Sequence, residues 1–322
     1  MTQDAPIPVF LPMTSSARTV LPTDLVALVS LDGRVYSNEA MTADRIGTQD
    51  SPHPLETAFE QWFSFATGRH TWISVKGPTL RGLISARKRG SKLAWEVDCL
   101  INAAEDDSGV LMSLLDQVTA AAGRSGALKV FLRLRSGSFT ERAASRCEFA
   151  AYRRERVYRR SNAEGEQHSV PEGLRRREKA DMYKLFQLYN AVAPAPIRQI
   201  EAMTYAEWSA AQEHLGRTTH YVLERDGRVR GWLRVAGDGE VGRFDILGEH
   251  DVLDELVEGA LAKVANRSTA YALAADYDAL LGRRLEELGF EPDDEYVVLC
   301  RRTVHFVKEP KRVPAVVHTN LA

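Results

Sequence analysis

Apolar positions in the C-terminal half of this chain alternate in short runs, then switch to a three-to-four spacing, and the switch recurs. Alternating runs at 220–224 and 229–235 predict two strands joined by Asp226-Gly227, a turn suited to a tight hairpin. A third strand, 241–247, follows Asp238-Gly239. Val252, Leu253, Leu256, Val257, Ala260 and Val264 then share one helix face. A strand at 270–274, a helix at 278–288 and a strand at 296–301 complete the half. Upstream, 174–179 reads as a short basic strand, and Asp181 stands as N-cap before Met182, Leu185, Phe186 and Tyr189. Pro194-Ala195-Pro196 ends that helix, and Thr204 with Glu207 predicts a capping box on the next.

The N-terminal half repeats the order. Strands are predicted at 70–75, 80–86 and 93–101, a helix at 110–122, a strand at 128–134, a helix at 139–147 and a strand at 151–158. Ahead of them Asp24 precedes Leu25, Leu28 and Val29, and 55–65 is amphipathic. Phe149 and Phe290, like the helix starts Val110 and Val252, keep the same spacing to within one residue. Internal duplication is the preferred reading. In both copies the turn before the long helix is acidic and short of glycine: Asp106-Asp107-Ser108-Gly109 and Gly248-Glu249-His250-Asp251. Carboxylates there suit a helix start that caps itself.

Composition adds boundaries. The 322 residues suffice for two domains, and 44% hydrophobic with 27% charged residues allows each an ordinary core. The polar stretch 161–173 reads as a linker between domains at 1–160 and 174–308, with a tail at 309–322. Lys plus Arg (42) nearly balance Asp plus Glu (44), which argues against a dedicated nucleic-acid binder. Arginines do cluster beside the linker, at 153, 154, 156, 159, 160 and 175–177, and a solvated sheet edge is the simpler reading of them. The first residues lack the pattern of a signal peptide, and no apolar run is long enough to span a membrane. Cys99, Cys147 and Cys300 have no zinc-like spacing, so a reducing cytoplasm is expected.

Candidate chemistry is sparse. Alternation puts Glu96 and Asp98 on one strand face with Trp95 and Val97 on the other. Asp245 stands in the matching strand, where Arg243 or Arg234 offers it an ion pair. His220 has no second ligand at metal spacing, so no metal site is expected. Arg142 and Arg146 near Cys147 point to a lowered thiol pKa.

The element order resembles that of the GNAT acyltransferase superfamily, and the closest stretch is Arg283-Arg-Leu-Glu-Glu-Leu-Gly-Phe290 followed by an apolar strand. Cys147-Glu148-Phe149 takes the place of Leu-Gly-Phe in the first copy. The resemblance implies an α+β fold: two tandem GNAT-like domains, each a mixed, mostly antiparallel sheet flanked by helices. It implies acetyl-CoA or another acyl-CoA as cofactor, held in domain one through Ile101, Ala103, Ser108 and Gly109. It also implies direct attack of an amine on the thioester, with Glu96 as base through water. The family's Arg/Gln-x-x-Gly-x-Gly/Ala loop is matched only at Gly109, and Ala144 and Leu285 stand where its tyrosine acid would be, which leaves Tyr277 as a substitute. The acceptor would be a small-molecule or peptide amine, and the protein a pseudo-dimeric monomer or a homodimer. Domain one, with Gly109 and Glu96, is expected to be the active half. The alternatives are a non-catalytic binding or interaction protein with the same fold, and a nucleic-acid partner for the arginines.

Overall fold

The structure, a computed structural model, describes residues 17–19, 37–42, 69–76, 79–89, 93–104, 107–161, 168–212 and 218–303. Within them twelve strands form one sheet. The first module contributes β1 (Arg18–Thr19), β2 (His70–Lys76), β3 (Thr79–Lys88), β4 (Ala94–Asn102) and β5 (Lys129–Arg135), with helices α1 (Ser108–Arg124) and α2 (Phe139–Arg146). It closes on β6 (Ala150–Ser161). The second contributes β7 (Leu174–Arg176), helices α3 (Asp181–Val192), α4 (Ala195–Glu201) and α5 (Tyr205–Ala211), then β8 (Thr219–Arg225), β9 (Arg228–Asp238) and β10 (Val241–Gly248). Helix α6 (Leu253–Val264), β11 (Thr269–Ala275), α7 (Ala279–Glu287) and β12 (Glu291–Arg302) complete it.

The sheet order is β1-β2-β3-β4-β5-β12-β6-β11-β10-β9-β8-β7. Only β4/β5 and β10/β11 pair in parallel, each across a helical crossover, α1 or α6. The closing strands are exchanged. β12 lies beside β5 of the first module, and β6 lies beside β11 of the second. The two exchanged strands pair antiparallel with each other at the centre. The arginines of β6 are therefore in an interior strand, not at a solvated edge. Ion pairs explain several of them: Arg153 meets Glu155 and Glu201, Arg154 meets Glu141 and Glu295, and Arg156 meets Glu295.

The long helices form because their apolar stripe has a sheet to cover. Val110, Leu111, Leu114, Leu115, Val118 and Ala122 of α1 are all buried, as are Leu253, Leu256, Val257, Ala260 and Val264 of α6. Glycines let both helices approach. A Cβ on Gly82 of β3 would lie 2.9 Å from Leu114 Cδ1, and one on Gly231 of β9 2.5 Å from Leu256 Cδ2. The capping box of Thr204 and Glu207 forms, and Asp278 caps α7 through the Leu281 N–H. Asp181 is the first residue of α3 instead of its N-cap. Its carboxylate accepts from the Glu178 N–H and from Arg175, whose guanidinium draws it away from capping. Glu148 takes φ +60°, the left-handed turn that Gly289 takes in the second copy. The segments at 24–29, 55–65 and 309–322 lie outside the described residues.

Candidate active site

In each module the two parallel strands pair at one end and then part. β4 and β5 are paired from Ala94/Lys129 to Glu96/Phe131, and β10 and β11 from Val241/Thr269 to Asp245/Leu273. Beyond these points the two partings differ.

In the first module residues 37–42 bridge the parting. The Glu39 N–H donates to Leu100 O of β4 at 2.8 Å, and the Met41 N–H to Arg133 O of β5 at 2.9 Å. Asn38 locks the segment to β4: its Oδ1 accepts the Leu100 N–H (2.8 Å) and its amide donates to Asp98 O (3.1 Å). Ala40 and Thr42 are each 1% exposed, and the Thr140 hydroxyl donates to the Glu39 carboxylate. The backbone groups that a ligand between β4 and β5 would use are thus satisfied from within the chain.

In the second module no backbone hydrogen bond among the described residues spans Ile246–Gly248 and Ala274–Tyr277. A cavity of about 120 Å³ is found there instead, lined by residues of α3, α4 and α5 and by strands of both modules. Asp245 and Tyr277 flank the parting, and Trp208 and Trp232 form an aromatic wall. Arg234, cross-strand from Asp245, holds that carboxylate at 2.5 Å and stacks over Trp232. On the far side Arg133 and Arg153 both meet Glu155, a carboxylate 3% exposed. Arg153 also meets Glu201 at 2.7 Å, and Glu201 accepts the hydroxyls of Tyr152 and Tyr189. Burial pushes the Tyr277 hydroxyl up to about 12, against the pull of Arg153, so it stays protonated at neutral pH. Burial and Glu201 raise Tyr189 as well.

Of the residues expected to bind the cofactor or carry the catalysis, Tyr277 lines the cavity. Glu96 lies in the first module, 5% exposed, with Arg87 Nε and a terminal guanidinium nitrogen on its Oε2 at 3.1 and 3.0 Å. The Ala103 N–H donates to Arg81 O, and Ile101, opposite Leu83, turns its N–H the same way by strand alternation. Both amides therefore face β3, while Leu100 faces the parting. Ser108 and Gly109 open α1, where Asp107 Oδ1 accepts the Gly109 N–H at 3.0 Å and its other oxygen meets Arg81. Asp106 lies outside the described residues. Cys147 departs from expectation: burial, with Asp116 nearby, raises its thiol to about 11 and keeps it un-ionised.

Asn38, Glu201 and the pair Arg81 and Arg230 escaped sequence reasoning. The last had a signal, since Leu80-Arg81-Gly82 and Val229-Arg230-Gly231 repeat one apolar-Arg-Gly pattern. Arg230 clasps both Glu249 and Asp251 before α6, where no side-chain cap is made. Gly248 there serves packing, because a Cβ would lie 2.3 Å from Leu256 Cδ1. The residues of the first module do not fit an acyl-CoA: its parting is bridged and its helix start capped. In the second the parting is open, and Arg230 offsets the acidic turn. Among the described residues no group of His, Cys, Asp and Glu is placed to hold a metal ion, and no helix is long and apolar enough to cross a membrane.

No family model matches the chain, and no curated protein does. Among solved structures it is similar to a GCN5-related N-acetyltransferase from Sphaerobacter thermophilus, at 14% identity and TM-score 0.51, over 90% of this chain and 97% of that one. A tandem GNAT protein from the clavulanic acid biosynthesis pathway matches at 14% identity and TM-score 0.48, over 87% and 93%. Saccharomyces cerevisiae N-myristoyltransferase matches at 14% and 0.48, over 92% and 82%. The first likeness, with the two parted strand pairs, shows that the chain has the GNAT fold, built twice in tandem.

Proposed function

We propose that the chain is an acyl-CoA-dependent N-acyltransferase whose working site lies in the second module. The observation that carries this reading is the cavity at the parting of β10 and β11, flanked by Asp245 and Tyr277. An acyl-CoA supplies a thioester, with acetyl the first candidate. The acceptor amine forms the new C–N bond, the C–S bond breaks, the amine loses a proton and the sulfur gains one. Asp245, fixed by Arg234, is the group that takes the amine's proton through water, and Tyr277, held protonated, is the proton donor at the parting. Glu96, held by Arg87, lies on the bridged side, so the first module supports and does not transfer. The proposed setting is the cytoplasm, with a small-molecule or peptide amine as acceptor.

A second reading, a non-catalytic binding protein of this fold, is favoured by the acidic helix starts: Asp107 occupies one N–H, and Glu249 and Asp251 stand at the other. Calorimetry with acetyl-CoA separates the two. The transferase reading expects one cofactor bound per chain, and Tyr277→Phe to lower turnover about 100-fold or more with binding retained. Absence of binding at millimolar acetyl-CoA leaves the second reading.

A further inference from the structure

The cavity at the seam of the modules is bordered by a buried guanidinium N–H that its carboxylates leave unused. Arg89, Arg133, Arg153 and Arg234 line it against Glu155, Glu201 and Asp245. Glu155 is shared by two guanidinium groups, and Glu201 already accepts from Arg153, Tyr152 and Tyr189. The Nε of Arg153 is buried and, among the described residues, has no hydrogen-bond partner. A buried charged donor left without a partner is costly to the fold. A group rich in acceptors, and negatively charged, relieves that cost.

Position gives the ligand a direction. Glu155 of β6 pairs with Ala275 of β11, and Leu273 of β11 pairs with Asp245 of β10. Arg153 and Asp245 thus face one cavity from opposite sides of β11, with Leu273 and Ala275 between them. A carboxylate accepts from a guanidinium in a planar, charge-assisted contact, and an ammonium or amine is drawn to a carboxylate. The Trp208 and Trp232 wall suits the short aliphatic part of such a molecule.

The geometry points to an acceptor that is a small amino acid, its carboxylate on Arg153 and its amine toward Asp245 at the parting. Which end reacts rests on the transferase reading; the binding does not. A cavity of about 120 Å³ suits a small molecule such as a free amino acid.

The test is calorimetry of the full chain with L-alanine and L-serine against L-alaninamide and L-serinamide, repeated with Arg153→Gln. At least tenfold tighter binding of the acids than of their amides is expected, and Arg153→Gln should erase the difference. Amides that bind as well as the acids, a difference that survives in folded Arg153→Gln, or no binding of either set overturns the proposal. Because Arg153 is braced in ion pairs, circular dichroism checks that the variant folds, and if it does not, the acid-to-amide ratio on the natural chain decides. Acid binding without acetyl-CoA binding keeps this site and removes the transferase reading; acetyl-CoA binding without acid binding does the reverse.

Discussion

His220 shows how one side chain ties the sheet to pH. Its Nδ1 accepts the Trp232 indole N–H at 3.2 Å, and the rings stack 5.6 Å apart. That bond needs a neutral imidazole, and burial, with Arg234 and Arg177 nearby, lowers its pKa from 6.5 to about 4. Above pH 6.5 the folded and unfolded chains are both neutral there, and no penalty exists. As pH falls from 6.5 toward 4 the unfolded chain takes up a proton that the folded chain refuses, so stability is lost over that window. Urea melts at stepped pH should show this slope, and His220→Gln should flatten it. A slope unchanged in the variant would place the acid sensitivity elsewhere. His220 was legible only as a residue without metal partners. Its pairing with Trp232 crosses two strands, and its register came from the fold.

At the scale of elements, the glycine under each long helix sets how close helix and sheet can come. Gly231→Ala should cost about 1–3 kcal/mol by overpacking against Leu256, and Gly82→Ala less, because its nearest helix atom is at 2.9 Å and not 2.5 Å. Denaturant midpoints of the two variants check the order. Elements of this kind were readable from local chemistry. The stripe of α1 and the box of Thr204 and Glu207 each depend on residues within a few positions. Asp181 misled because a carboxylate before an apolar stripe signals a cap only while no cation competes for it, and Arg175 does. The acidic turns were read as self-capped, which Asp107 is. In the second copy the same carboxylates answer to Arg230, a strand residue that local spacing does not reveal.

The whole molecule is where sequence reading stopped. Periodicity finds β6 and β12 but does not say which module each completes, since pairing partners lie far away along the chain. The arginines of β6 were read as an edge for that reason, and the seam cavity, built by both modules, was invisible. The exchange makes a strong prediction. Cutting the backbone between β6 and β7 should give fragments that fail to fold alone and regain native circular dichroism when mixed. Two independently folded halves would contradict the exchanged pairing of β5 with β12 and β6 with β11. The same exchange governs how the chain is born. β5 leaves the ribosome with its edge bare, and β12 follows about 150 residues later, on the order of ten seconds at the usual pace of translation. For that interval the first sheet is an open template for other nascent chains, so its safe closure depends on synthesis running through to the last strand.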